Sequence, residues 1–272
     1  MKRGVKEHLR GGGSWEEYYR DYQLRLAQRY LVPLLESWGV ELEGKRMLEV
    51  GSGNGGCGEA FRRAGCEVTA LEIDRRLVGV ARELNEKAGV EITVHEGDVT
   101  DPGNEAFRHG PFDIVLMRDV VEHLELPERA LANVKDGLAD GGIFFVVFPP
   151  YYSPFGAHQQ ILPTKRFFFV PYNKLPYVQL LPRGVLARLA RGEDAPSREV
   201  RRLQRIRLTL RRFERLVSQG GFRVVKRKFY LSRPTYALRY NLPVVGAGFL
   251  GKIPLLRELV VTGAYYLLAR DE

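Results

Sequence analysis

The chain has 272 residues, 44% of them hydrophobic, and a formal net charge of +9. Length and apolar content fit an ordinary soluble globular protein, one large domain with insertions or two small ones, with enough hydrophobic residues for a substantial core. Its two cysteines, Cys57 and Cys66, match no zinc or disulfide framework and read as reduced intracellular thiols without a role, while the positive charge points to an anionic partner such as nucleic acid, an acidic lipid surface or a phosphorylated substrate.

In chain order, MKRGVKEHLRGGG is charged, lacks the apolar core of a secretory signal and reads as a frayed tail. Residues 14 to 38 predict a helix, because Ser14 and Glu17 form a capping box and Tyr18, Tyr22, Leu26 and Tyr30 recur every fourth position. From 46 to 148 the period changes. The apolar runs RMLEV, EVTALEI, EITVHEG, FDIVLM and GIFFVVF alternate with helical patterns at 55 to 64, 75 to 88 and 127 to 138. Such alternation implies right-handed crossovers and a parallel sheet covered on both faces.

After residue 148 the alternation gives way to an insertion rich in Pro, Tyr, Phe and Arg. Between 183 and 215, eleven arginines set against Glu193, Asp194, Glu199 and Glu214 leave seven positive charges. A solvated helix face is the preferred reading of that segment, with a dedicated anion site as the alternative. LTLRRFERLVSQGGF predicts a helix stopped at Gly220 and Gly221, FRVVKRKFYL a strand, and ELVVTGAYYLLA a last strand that pairs with it. Lys252, Pro254, Arg257 and Glu258 interrupt the late apolar segment and argue against a membrane span. Phe249, Leu250, Ile253 and Leu255 are left either to dip into lipid headgroups or to be buried under the cap.

RMLEV runs into GSGNGG and then a helix, which puts glycines where backbone turns tightly and approaches a ligand at a helix N-terminus. Gly51, Gly53 and Gly56 satisfy the dinucleotide fingerprint, with Glu72 at roughly the 20-residue distance of a ribose-binding acid. Glu49, two residues before the first glycine, argues against that cofactor because its charge repels phosphates. The same charge attracts a sulfonium and an ammonium in a partly desolvated cleft, which indicates S-adenosylmethionine.

On these residues the stretch from 46 to 148 resembles the class I S-adenosylmethionine-dependent methyltransferases. MLEVGSGNGG resembles the family's first motif, and the resemblance implies that Glu49, Gly51, Gly53 and Gly55 line the methionine part of the cofactor. Glu72 in TALEID matches the acid that takes both ribose hydroxyls, and Asp98 and the Val99 amide in HEGDVT match the adenine contacts. FDIVLMRDVVEHL looks like the fourth strand and its loop, with Arg118 and Asp119 lining the site, and LADGGIFFVVFP looks like the fifth strand. Asp74 is the near rival of Glu72, an isolated acid of this kind also reads as a strand-end cap, and Asp113 reads as structural.

The resemblance implies an α/β, doubly wound, mostly parallel seven-stranded Rossmann-like sheet with a cap inserted after the fifth strand. The corresponding division is a tail and lid helix at 1–40, the S-adenosylmethionine-binding core at 41–150, a substrate cap at 151–208, and the rest of the core sheet with a second insertion at 209–272.

Phe148-Pro149-Pro150-Tyr151 resembles the Asn/Asp-Pro-Pro-Tyr of amino-methylating enzymes but follows the fifth strand instead of the fourth, and Phe148 cannot accept an amine's hydrogen bond. The prolines instead end the strand, so that Tyr151, Tyr152, Phe155 and His158 are expected over the cleft. Methylation of a hydroxyl needs a proton acceptor, and His158 and His123 are the candidates. His123 belongs to a Glu-His-Leu resembling quinone-biosynthesis O-methyltransferases. Asp119, Glu122 and His123 could together collect a metal, but the preferred reading is a hydrogen-bonded loop and no metal is assigned. His8, His95 and His109 have no supporting neighbours.

The expectation is therefore a cytoplasmic methyltransferase, peripheral to the inner face of a membrane if the apolar late segment engages lipid, acting on a small-molecule, lipid-linked or glycan-linked hydroxyl. An RNA methyltransferase using the arginine-rich segment is the weaker alternative. A non-catalytic binding protein of the same fold is the other.

Overall fold

A computed structural model describes residues 12–162, 166–167, 170–171, 174–181 and 194–271. The predicted tail through residue 11 and the arginine-rich stretch before residue 194 lie outside the described residues, as do short pieces of the inserted segment. Contacts divide the chain into two compact units, one of Met1–Arg118, Glu128–Phe145 and Leu267–Glu272, the other of Asp119–Pro127 and Val146–Tyr266.

In the first unit, helix α1 (Trp15–Leu26) begins where the sequence predicts. The Ser14 hydroxyl accepts the Glu17 N–H at 3.0 Å, and the Glu17 carboxylate accepts the Ser14 N–H at 2.9 Å. A π-helical turn, Ala27–Leu31, carries it into α2 (Val32–Ser37). Next come β1 (Arg46–Val50), α3 (Gly56–Arg63), β2 (Glu67–Glu72), α4 (Arg75–Ala88), β3 (Thr93–Glu96), β4 (Phe112–Arg118), α5 (Pro127–Gly137) and β5 (Leu138–Phe148).

Strand β1 is parallel to β2 on one side and β4 on the other, so Glu49 lies opposite Ala70 and Leu116. Met47, Leu48, Val115, Leu116 and Met117 are fully buried, as expected of continuous apolar runs covered on both faces. Each such side chain stabilises the unit by about 1.5–3 kcal/mol. The ends of α4 follow its sequence: the Asp74 carboxylate accepts the Arg76 N–H at 2.8 Å, and Gly89 ends the helix at φ 62°.

The second unit starts with a 3₁₀ turn, Val121–His123, and continues after β5 through the short antiparallel pair β6 (Arg166–Phe167) and β7 (Val170–Pro171). Then follow α6 (Ala195–Ile206), α7 (Leu210–Gln219), β8 (Phe222–Ser232), α8 (Pro234–Tyr240), β9 (Val245–Gly246), α9 (Pro254–Val260) and β10 (Gly263–Arg270). Phe148, Phe213 and Tyr266 form an aromatic centre, with Phe213 at 4.7 Å from Phe148 and 4.9 Å from Tyr266, ring centroid to centroid. Glu258 accepts the Leu210 and Arg211 N–H groups at 2.9 and 2.8 Å, satisfying the first turn of α7.

Strand order is β3-β2-β1-β4-β5-β10-β8-β9. The class is the expected α/β Rossmann-like one, with eight strands instead of seven. The extra member is the two-residue β9, antiparallel to the edge strand β8. The run ELVVTGAYYLLA is also not all strand. Glu258 to Val260 finish α9, which Pro254 opens in the first-turn position where its missing N–H costs nothing, and the strand starts at Gly263.

Candidate functional site

The first unit presents the glycine loop at the carboxyl end of β1. Gly51, Gly53 and Gly55 have φ of 71°, 57° and 81°, a left-handed region in which a Cβ is strained, so the loop's path depends on these positions. The Glu72 carboxylate, at the end of β2, accepts the Gly53 N–H at 2.8 Å through one oxygen and the Asp74 N–H at 3.0 Å through the other. Each carboxylate oxygen keeps a second lone pair for hydroxyl donors.

Glu49 is 3% exposed, and its Oε2 has no hydrogen-bond partner among the described residues. Burial pushes its carboxyl up to about 7, opposed by the Arg118 guanidinium and reinforced by the charge of Glu72. A buried carboxylate with one unpaired oxygen beside a second carboxylate fits a cationic group and not a pyrophosphate, so the residues present fit S-adenosylmethionine. Ile73, which was not singled out from sequence, is 66% exposed directly after Glu72.

Helix α1 holds the loop from outside, a role invisible in the loop's own motif. Arg20 donates to Glu59 Oε2 at 2.9 Å and to the Asn54 carbonyl at 2.9 Å, with the Arg20 and Glu59 side chains only 7% and 4% exposed. Asn54 Nδ2 donates back to the Glu16 carbonyl, and the Gly56 N–H points to Gln23 Oε1 at 3.4 Å. A Cβ at Gly56 would lie 2.2 Å from the Arg20 carbonyl oxygen, so the approach tolerates glycine alone. Burial pulls the Arg20 pKa down, and Glu59 offsets much of that cost.

The remaining predicted positions sort by their bonds. Asp98 accepts the Thr100 N–H at 2.8 Å in a turn after β3, and the Val99 carbonyl is fixed by Asn133 Nδ2 at 2.9 Å. Arg118 is buried at the end of β4. Asp74 is the N-cap of α4, and Asp113 accepts the Arg46 N–H at 2.9 Å. A cavity of about 570 Å³ lined by Arg46, Glu67 and His109 lies at the opposite end of the strands from the glycine loop. His95 and His109, expected to lack neighbours, have ring centroids 4.7 Å apart, with Glu105 at 3.8 Å from His95.

The second unit gathers the other predicted side chains. His123 and His158 have ring centroids 5.1 Å apart, and one potential ligand atom from each of Glu122, His123 and His158 lies within 4.8 Å of the others. Asp119, at φ 54°, is drawn off into a 3.0 Å ion pair with Arg233, so the metal set considered from sequence is not the one assembled. His123 Nδ1 bonds Glu199 on α6, which Arg202 holds at 2.7 Å.

Burial lowers the His123 pKa, but Glu122 and Glu199 outweigh it and leave His123 above its ordinary range. Burial and His123 push His158 down to about 3, making it a weak proton acceptor and a persistent neutral donor of an imidazole lone pair. Sequence could not supply Glu199 or Arg233, which lie 76 and 114 residues from their partners.

Tyr151 of the Pro-Pro-Tyr stretch is buried, and its N–H donates to the Leu208 carbonyl at 2.9 Å. Among the described arginines of the 183–215 segment, Arg202 pairs with Glu199 and Arg205 with Glu125 at 2.9 Å, which reduces the charge left for a phosphate track. Phe249 and Leu255 are 73% and 84% exposed, which removes burial as their explanation. No helix among the described residues is long and apolar enough to cross a membrane.

The chain is similar to known proteins. A family model described as a methyltransferase domain matches residues 17–226. The ubiquinone biosynthesis O-methyltransferase of Xanthomonas euvesicatoria is 34% identical over 107 residues, 39% of this chain and 44% of that protein. That of Aromatoleum aromaticum is 28% identical over 156 residues, covering 56% and 61%. The chain thus spans about half the length of these curated relatives. Ribosomal RNA small subunit methyltransferase A of Novosphingobium aromaticivorans is 40% identical over 74 residues, 27% of each chain.

In fold, a S-adenosylmethionine-dependent methyltransferase from Clostridium acetobutylicum superposes with a TM-score of 0.54 at 11% identity over 99% of this chain and 97% of that one. Magnesium protoporphyrin IX methyltransferase from Synechocystis, solved with bound SAH, gives 0.52 at 14% over 92% and 86%. A family match across most of the length, on a Rossmann-like α/β sheet with an acid-flanked glycine loop, means that the chain belongs to the class I S-adenosylmethionine-dependent methyltransferases.

Proposed function

We propose that the protein transfers a methyl group from S-adenosylmethionine to a hydroxyl of a small molecule, free or carried on a lipid or glycan. The observation that carries this reading is the pair Glu49 and Glu72 at the glycine loop, one buried with one oxygen unpaired, the other bonded to the loop backbone. In it, Glu49 faces the cationic end of the donor and Glu72 takes the ribose hydroxyls. Ile73 offers the adenine an apolar surface, and Asp98 with the Val99 amide holds its edge. Arg118 keeps Glu49 from being fully neutralised at neutral pH.

When bound, S-adenosylmethionine supplies a methyl carbon already activated by its sulfonium. The chain's own work is then orientation and removal of the acceptor's proton. We assign proton removal to the Glu122, His123 and His158 cluster, in which His158 alone is too weak a base. The O-methyltransferase relatives support a hydroxyl acceptor.

Calorimetry with S-adenosylmethionine, S-adenosylhomocysteine and NAD tests the donor: affinity for the first two and none for NAD is expected, and the reverse overturns the proposal. Labelled donor incubated with lysate fractions then identifies the acceptor, with label expected in small-molecule, lipid or glycan pools and label confined to RNA overturning the hydroxyl reading. Exposed Phe249 and Leu255 beside Lys252 favour a membrane-surface location as a second reading, and sedimentation with anionic vesicles tests it.

A further inference from the structure

We propose that Glu122, His123 and His158 bind one divalent transition-metal cation of the zinc type, in a site contained within the second unit. Glu122 is 3% exposed, and neither of its carboxylate oxygens has a hydrogen-bond partner among the described residues. Its nearest ionic neighbour is His123 Nε2 at 3.6 Å. A desolvated carboxylate without hydrogen bonds is costly, and a cation is the partner that would satisfy it.

The histidines are set up as ligands. Glu199 engages His123 Nδ1, which fixes the tautomer and leaves Nε2 as the coordinating atom, and Arg202 in turn orients Glu199. A carboxylate behind an imidazole is the usual outer support of a metal-bound histidine. His158 arrives from a different segment, held at φ 54° by a turn in which its N–H donates to the Phe155 carbonyl at 3.0 Å. Asp119 is excluded by its ion pair with Arg233.

The donor set is therefore two imidazoles and one carboxylate, which suits zinc-like ions and not magnesium or calcium, whose preference is for oxygen. Ligands around a tetrahedral zinc at about 2.0–2.1 Å lie roughly 3.4 Å apart, so side-chain rotations of about an ångström close the set. In charge, Asp119, Glu122 and Glu199 stand against Arg202 and Arg233, an excess of one negative charge before the cation enters. Three protein ligands leave a fourth position for an oxygen. Coordinated there, an acceptor hydroxyl would lose its proton near neutral pH without a strong base. That catalytic role rests on the proposed hydroxyl methylation, whereas the binding site does not.

The test uses the whole protein, stripped with a chelator and titrated without donor or acceptor, with Zn²⁺ by calorimetry and Co²⁺ by visible absorption. One equivalent bound, with the intense absorption of four-coordinate Co²⁺, is expected. Glu122→Gln and His158→Ala should each weaken Zn²⁺ binding by roughly a hundredfold or more, and Glu199→Gln by about 10–100-fold. His95→Ala should leave it unchanged.

Far-UV circular dichroism and cooperative thermal unfolding, measured separately, report that each variant is folded. Absence of stoichiometric binding, the weak spectrum of six-coordinate Co²⁺ in the unaltered protein, or unchanged affinity in His158→Ala would overturn the site. Failure of the donor to bind would count against the proposed reaction only, since the metal titration is independent of it.

Discussion

The glycine loop and the histidine cluster are built in opposite ways. In the loop, the functional groups lie within a few residues of one another or on adjacent parallel strands, and backbone N–H groups satisfy Glu72. In the cluster, residues from 119–123, 158, 199 and 233 converge, and side chains satisfy side chains, except at Glu122. A site made by local backbone geometry has a spelling, while one made by long-range convergence has only a composition.

The contrast is sharpest in what each site should lose when altered. If Glu72 accepts two ribose hydroxyls as proposed, each a charge-assisted hydrogen bond of about 1.5–3 kcal/mol, Glu72→Ala should lower donor affinity by about a hundredfold to ten-thousandfold in calorimetry. Arg20→Ala leaves one oxygen of the buried Glu59 carboxylate without its partner while Arg63 still holds the other, and should cost about 1–3 kcal/mol in denaturant unfolding, taking donor affinity with it. His158→Ala should spare donor affinity and lower turnover by about a hundredfold, the behaviour of a group that acts on the acceptor. Equal loss of donor binding in this variant would erase the distinction between the two sites.

Smaller effects refine the loop's side of the comparison. Glu49 is raised from its ordinary 4.5 to about 7 by burial, so it binds its proton more tightly folded than unfolded. Its contribution to stability is therefore present below pH 4.5 and is lost as pH rises through 7. Donor affinity moves the other way, weakening about tenfold from pH 8 to 6 as the carboxylate takes up a proton. The donor-induced rise in Tm should thus grow with pH, and a flat profile would show that Glu49 does not face the cation. Asp74→Ala should cost only about 1 kcal/mol of stability, the loss of an N-cap.

The alternation of apolar runs made β1, β2, β4 and α4 legible almost to the residue, because buried parallel strands and capped helices carry their periods and stops locally, whereas β5 begins at Leu138, before the Gly-Gly pair expected to precede it. The placement of Glu49 and Glu72 near strand ends and of Gly53 in the turn between them was legible for the same reason. Sequence prefers Glu72 over its near rival Asp74, and the Asp74 carboxylate is engaged as the N-cap of α4 through the Arg76 N–H. Glu258 was assigned to a strand because its flanks are apolar, yet its carboxylate is committed to the first turn of α7, a demand that arises only in three dimensions. Arg20 and Gln23 carry no motif of their own, and their partners Asn54 and Gly56 lie more than thirty residues away.

That docked helix also sets an order of events during translation. Arg20 leaves the ribosome well before Glu59, which follows it by 39 positions, so the nascent helix is made without the groups that will neutralise and cover it. Until those residues emerge, its inward face is open to chaperones and proteases, and the ligand-binding turn gains its outer brace only afterwards.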